Sequence, residues 1–224
     1  MRVLCILTII LLFASCGQQR NTEAPSAQAQ DSLPLLERLA HAHGFEHWPS
    51  VSEIRFTWNI DRDTTHFERT WIWDVRNQRV TRIMMGDTIS YLRSEVDSTL
   101  AQVDGGFIND KYWMLAHYQW VWDQESITHT FTPGVTAPLS GKPADKLTVV
   151  YGDTGGYTPG DAYDYWLGPD SLVMEWAFRR GNQDEPNLIN TWEDYQEVGG
   201  LKIAMMRQNA DGTFKLYFTG VEVR

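Results

Sequence analysis

Apolar and polar side chains alternate along most of this chain, and that alternation predicts strands. Ile54, Phe56, Trp58 and Ile60 alternate with Glu53, Arg55, Thr57 and Asn59, which describes one half-buried strand. Asp61-Arg62-Asp63 reads as a turn. Phe67, Arg69, Trp71, Trp73 and Val75 then share a face, Asn77-Gln78 closes a hairpin, and residues 80–85 return. Gly86-Asp87 turns the chain again into residues 89–93. Short connections between such runs predict a meander of antiparallel neighbours.

A different period precedes it. Ser32 and Pro34 open a helix whose stripe is Leu35, Leu36, Leu39 and Ala40, and Gly44 stops it. In the middle of the chain, residues 100–106 read as a link and Asn109 as a helix cap, with Asp110 favouring the positive end. Tyr112, Trp113, Leu115, Ala116 and Trp120 fit one or two helical turns. Residues 127–131 suit a short strand. Pro133, Pro138 and Pro143 predict an extended loop.

Strands resume at 147–151. In the stretch 151–181 a glycine-rich loop leads into a hairpin around Gly168-Pro169-Asp170-Ser171. Leu172, Met174, Trp176 and Phe178 lie in register after that turn, and Trp176 is expected in the core. Gly155, Gly156 and Gly160 are expected to shape the loop through backbone conformations closed to other residues. Further strands follow at 188–195 and 201–207, then a turn at Asn209-Ala210-Asp211-Gly212. Phe214, Leu216 and Phe218 share a face, and Gly220 shifts the phase so that Val221 and Val223 continue it, which predicts a bulge. The fold class expected is mainly β, a curved antiparallel sheet with a few covering helices.

The first residues obey neither period. Met1-Arg2 is a positive start, and residues 3–13 form an apolar run too short to span a bilayer. Phe13-Ala14-Ser15-Cys16 resembles a bacterial lipoprotein signal. The resemblance implies cleavage before Cys16, a diacylglycerol on its sulfur and an acyl chain on its new amine. Cys5 leaves with the signal, so Cys16 is the one cysteine of the mature chain, which forms no internal disulfide. Residues 1–15 are thus read as signal peptide, 16–30 as a polar tether and 31–224 as a single domain. Gly17, where inner-membrane retention resembles an aspartate, implies the outer membrane. An ordinary secretory signal with a chance cysteine is the alternative.

Charge narrows the partners. Arg2 is the one charged residue of the signal, and its loss leaves 18 basic against 29 acidic side chains, a net of −11. Such a surface argues against nucleic acid and anionic lipid headgroups as electrostatic partners. Ten tryptophans, nine tyrosines and nine phenylalanines exceed ordinary core needs and either fill a large curved sheet or line a cavity. Trp71 and Trp73 point the same way on one strand. They read as the wall of a site for an acyl chain or sugar ring, or as plain sheet core; Tyr112, Trp113 and Trp120 carry the same ambiguity.

Candidate chemistry is sparse. Asp153, Asp161 and Asp164 are a conceivable cation or acid/base set, but their spacing is unlike the twelve-residue calcium loop, and such carboxylates commonly cap backbone amides. His41 and His43 sit on different helix faces. His47, His66, His117 and His129 are isolated, and each reads as a surface or hydrogen-bonded core histidine. Neither a nucleophile-elbow, a zinc-helix nor a phosphate-loop motif occurs, so the expectation is no catalysis, no metal and no cofactor.

One resemblance spans residues 31–224. The helix closing at Gly44, Trp48, the segment Asn109-Asp110-Lys111-Tyr112-Trp113, the loop from Tyr151-Gly152-Asp153 to Asp161-Ala162-Tyr163, and Thr191-Trp192-Glu193-Asp194-Tyr195 resemble a family of uncharacterised bacterial lipoproteins. More distantly the layout is similar to the lipoprotein carrier and receptor LolA and LolB. That implies an open antiparallel half-barrel, closed by helices and holding acyl chains. The expected function is non-enzymatic binding of a hydrophobic or amphipathic ligand by a lipid-anchored envelope protein, in a cavity with Trp71, Trp73, Tyr112 and Trp113 near its wall. A glycan- or protein-binding surface module and a hydrolase using the Asp153–Asp164 loop are the alternatives.

Overall fold

The computed structural model describes residues 33–154 and 156–224. Cys16, the signal, the tether, Ser32 and Gly155 lie outside the described residues. The described residues are mainly β, in two antiparallel sheets that do not close into a barrel.

Helix α1 (Leu35–Ala42) follows Pro34 and buries Leu36, Leu39 and Ala40. Gly44 ends it at φ +88°, in left-handed backbone. A β-carbon there would stand 2.1 Å from the Gly200 carbonyl oxygen, so glycine is required by approach as well as by conformation. A 3-10 turn (Phe45–Ser50) leads to the meander of β1 (Glu53–Arg62), β2 (Thr65–Asp74), β3 (Arg79–Met84) and β4 (Asp87–Leu92). Helix α2 (Ala101–Trp122) comes next. Then follow β5 (Ile127–Thr136), β6 (Pro143–Tyr151), β7 (Ala162–Leu167), β8 (Val173–Arg179) and β9 (Leu188–Thr191). The chain finishes with β10 (Glu193–Val198), β11 (Leu201–Gln208) and β12 (Phe214–Val223).

Sheet A has the order β10-β11-β12-β1-β2-β3-β4, and sheet B the order β5-β6-β7-β8-β9. The expected single sheet is therefore two. The run read as one strand, 188–195, passes from sheet B into sheet A: β9 pairs with β8 and β10 pairs with β11. Only Trp192 separates them, and Asp194 just beyond takes φ +54°. A strand that changes sheets in this way makes a corner. The bulge expected at Gly220 is present. Between Arg55 and Thr57 the partner strand advances from Glu222 to Thr219, and Gly220 has φ +58°.

Two expectations are corrected. Residues 133–143 are not an open loop: Pro133 lies inside β5, an edge strand with a register shift between Thr132 and Val135, where a missing N–H is tolerated. The middle helix begins at Ala101 rather than at Asn109. Asp97 starts it, its carboxylate accepting from the Thr99 and Leu100 backbone N–H groups at 2.9 and 3.1 Å. Non-helical angles at Leu115 kink α2 near its middle.

Helix α2 is buried nearly all round, as a helix between two layers must be. Phe107, Met114, Leu115 and Tyr118 pack with sheet A against Phe56, Trp71, Trp73 and Phe218. Ala116 and Trp120 pack with sheet B against Leu147, Tyr165, Trp176 and Trp192. Among the described residues no helix is long and apolar enough to cross a membrane.

Candidate functional site

Helix α2 and sheet B part near the N-terminal half of the helix, and a cleft of about 260 Å³ opens between them. Gly105, Ile108, Asn109, Tyr112 and Trp113 form the helix side. Tyr163, Trp176, Phe178 and Leu188 form the sheet side, and Tyr157 and Thr158 form the rim. The rings hold one another in place. Tyr163 stacks on Trp176 at 5.5 Å between centroids, Trp113 meets Trp176 edge-on at 4.7 Å, and Tyr112 tilts against Tyr163 at 4.9 Å. The Tyr112 and Tyr165 hydroxyls are hydrogen-bonded at 2.8 Å. The wall is thus rigid, apolar and aromatic, as ligand clefts commonly are.

Gly105 stands out in this wall. It lies inside a helix at ordinary helical backbone angles, and a β-carbon added there would meet no atom within 4 Å. Neither conformation nor packing calls for glycine. In a helix interior glycine costs about 0.5–1 kcal/mol relative to alanine. What it leaves is room in the cleft. Gly106, its neighbour, is different: a β-carbon there would press on the Arg69 guanidinium at 3.1 Å.

A second cleft of about 280 Å³ lies on the other side of Ile108, Tyr112, Tyr157 and Thr158, which line both. Its wall is polar, with Lys111, Arg93, Gln119, Asp123 and Tyr151. Tyr157 and Thr158 border both openings. Tyr157, 59 % exposed, donates from its hydroxyl to Asp104 Oδ2 at 2.6 Å. Asp104 also accepts from Arg93 Nε at 3.1 Å and from the Tyr91 hydroxyl at 3.0 Å. Burial pushes the Asp104 carboxyl up, but the donors from Arg93, Tyr157 and Tyr91 outweigh it and hold it below its ordinary value. Of the three glycines expected to shape this loop, Gly156 and Gly160 have φ of +69° and +74°, and Gly155 lies outside the described residues.

The three loop carboxylates are not gathered. Asp164 pairs with Arg179 Nε at 2.8 Å and accepts from Thr148 Oγ1. Asp161 accepts from Thr158 Oγ1 and from the Gly181 N–H at 2.8 Å. Asp153 is exposed. Asp164 ties β7 to its neighbours β6 and β8, and Asp161 ties its loop to the turn after β8, so both have a structural use. Among the described residues no three His, Cys, Asp or Glu side chains converge as metal ligands would.

Of the expected wall residues, Tyr112 and Trp113 line the cleft. Trp71 and Trp73 do not. They lie under Phe107 in the sealed core with sheet A, and Trp71 Nε1 donates to Asp110 at 2.7 Å. Their shared face is the one α2 covers, so the sheet-core alternative describes them. Trp176 is buried as expected, yet one edge also faces the cleft.

Sequence reading did not pair His43 with His117. Both are fully buried and their rings stack at 4.2 Å. His117 comes from the far half of α2, 74 residues after His43, and no local pattern announces the meeting. Beside them at the sheet corner lies Arg207, buried, with Nη1 donating to the Ala204 carbonyl and the guanidinium 4.2 Å over the Trp192 ring. Burial lowers its pKa to about 9.

No family model matches the chain, and no curated protein matches it. The likeness to a lipoprotein family therefore rests on the residues quoted for it. Among solved structures the chain is similar to a DUF1329 family protein from Desulfovibrio piger, at 10% identity and TM-score 0.47, over 84% of this chain and 92% of that one. It is also similar to a LolA superfamily protein from Nitrosomonas europaea, at 8% identity and TM-score 0.49, over 86% and 94% of the two chains.

Proposed function

We propose that this protein binds the apolar part of an amphipathic ligand, without covalent chemistry, in the cleft between α2 and sheet B. The observation that carries this reading is Gly105, a helix-interior glycine that serves neither backbone nor packing and keeps an aromatic cleft open. A cavity of about 150 Å³ is enough for a benzene-sized guest. A cleft of about 260 Å³ suits a ring or a short run of methylenes whose continuation leaves through the rim. Each buried methylene contributes about 0.8 kcal/mol, so five or six contribute about 4–5 kcal/mol before the costs of association. That is a shorter seat than a half-barrel holding whole acyl chains. The concave side that would hold them is filled by α2 and its tryptophan neighbours.

The reading is tested by plugging the cleft. Titration with a fluorescent fatty acid should saturate. Gly105→Leu should weaken that binding at least about 10-fold while leaving the melting temperature equal or higher, because leucine is the better helix former. If the wild-type chain does not bind, or the variant binds equally, a surface module for glycan or protein becomes the better account.

The second element of the proposal is the anchor. Cys16, behind Phe13-Ala14-Ser15, carries the lipid and holds the domain at the outer membrane through the polar tether. Cells fed an alkyne fatty acid should label the protein, and Cys16→Ser should abolish the label. Equal labelling of that variant overturns the assignment.

A further inference from the structure

The second cleft is lined by a cation that, among the described residues, has no direct ion-pair partner. Lys111 is 7 % exposed on α2. Among the described residues no carboxylate lies within 4.0 Å of its ammonium, and none accepts a hydrogen bond from it. What it does touch is aromatic: Nζ lies 5.6 Å from the Trp73 ring and 5.2 Å from the Trp122 ring. Ring faces stabilise an ammonium only modestly, and a buried charge without an anion is costly. Lys111 also lines the cleft of about 280 Å³, which is large enough for a small polar group.

The chain as a whole is acidic, but on this wall two cations, Lys111 and Arg93, face one carboxylate among the described residues. Arg93 stands on the same wall, with its guanidinium already turned to Asp104 by Nε and Nη2. Gln119 and Ser126 offer neutral donors. Asp123 is the one carboxylate on the wall. It attracts Lys111 across the cleft from beyond 4.0 Å and accepts from the Tyr151 hydroxyl at 3.0 Å, so it makes no direct ion pair with the ammonium. Ile108 and Tyr112 divide this basin from the apolar cleft, and both line both. Lys111 is one helical turn from Ile108, so a ligand crossing that ridge passes from aromatic rings to an ammonium within a few ångströms.

We propose that the Lys111 cleft receives the anionic head group, a carboxylate or a phosphate, of the ligand whose apolar part occupies the Gly105 cleft. This rests on the function proposed above and names its ligand class: an anionic amphiphile with a short apolar portion. The head exchanges water for Lys111 and nearby neutral donors, and the tail enters between α2 and sheet B. Tyr157, held to Asp104 through its hydroxyl, lies with Thr158 at the junction of the two clefts.

The test is calorimetric titration of the purified full chain with three probes of equal tail: decanoate, decyl phosphate and decanol. At least one anionic probe should bind at least about 10-fold more tightly than decanol. Lys111→Met, which keeps the length of the stem, should remove that preference and leave decanol unchanged, and Lys111→Arg should retain much of it. The tighter of the two anionic probes identifies the head as carboxylate or phosphate. If decanol binds as well as both anions, the Lys111 assignment is overturned and the apolar cleft stands. A preference that survives in Lys111→Met overturns it equally. If no probe binds, both proposals fall together.

Discussion

Lowering the pH from 7 to about 4 should remove at least about 3 kcal/mol of folding stability, and the stacked histidines should account for most of it. His43 is neutral in the fold: Nδ1–H donates to the Leu39 carbonyl at 2.9 Å, and Nε2 accepts from the Val173 N–H at 3.3 Å. Protonating Nε2 would set two donors against each other in a buried site. Burial accordingly lowers its pKa to about 4, against a small opposing pull from Leu39. His117 is pushed well below its ordinary value by burial first, then by His43 and by Arg207. Unfolded, both return to about 6.5. Between those values the unfolded chain binds more protons than the folded one, so stability falls as pH falls. The contribution is complete above about 6.5 and is lost downward to the folded value. Each pH unit in that window removes about 1.4 kcal/mol per histidine, about 3 kcal/mol for His43 alone. Asp104 acts later, because a carboxylate held below its ordinary value loses its contribution only as pH falls through that lower range. Urea denaturation at stepped pH measures the slope. His117→Leu should flatten it, leaving His43 alone to titrate. A stability constant from pH 7 to 4.5 would show that the pair is solvated.

Asp110→Ala should cost about 3–5 kcal/mol, the range for removing one partner of a buried ion pair. The Asp110 carboxylate is fully buried and saturated with donors: Arg69 Nε at 2.6 Å, Arg69 Nη2 at 2.7 Å, Trp71 Nε1 at 2.7 Å and Asn109 Nδ2 at 3.0 Å. Its loss leaves a guanidinium 4.8 Å over the Trp58 ring and an indole N–H with nothing to donate to. The pair stitches α2 to β2, so the loss also loosens the helix that forms one wall of both clefts. Arg69→Met combined with Asp110→Ala should recover part of the cost, since the unpaired cation is the larger component. Chemical denaturation of the two single variants and the double variant gives the coupling. A single-variant loss under about 1 kcal/mol would mean that Arg69 turns out to solvent.

The same pair explains much of what the sequence concealed. Gly105-Gly106 looks like a break, and reading it so starts the middle helix at Asn109. In the fold both glycines are helical. Gly106 admits the Arg69 guanidinium, which arrives from a strand 37 residues earlier, and no local pattern reports that. Strands were easier, because a period of two and the turn residues between runs are local signals. They located β1 to β4, the β7–β8 hairpin and the bulge at Gly220. Locality also explains the failure at residues 188–195. A strand that changes partners keeps its alternation, so the corner at Trp192 is invisible until β8 and β11 are placed beside it. The site was half legible. Tyr112 and Trp113 stood out as aromatics, whereas Gly105 matters only for the side chain it lacks, and Lys111 only for the carboxylate that is not near it.

Sheet A and sheet B also differ in when they can form. The five strands of sheet B pair in the order in which they are made, each with its immediate neighbour. Sheet A is joined at its centre by β1 and β12, with Ile54 opposite Val223. That contact closes a loop of most of the domain, the slow and entropically costly kind of pairing. Until it closes, β1 to β4 form a meander open at both β1 and β4, and the β1 edge, which the finished sheet covers, carries Phe56 and Trp58 beside its unpaired amides. A chain emerging from a ribosome or a translocation pore exposes it for as long as β12 is missing. Misassembly, when it occurs, begins on β1, the strand with the longest wait for its partner.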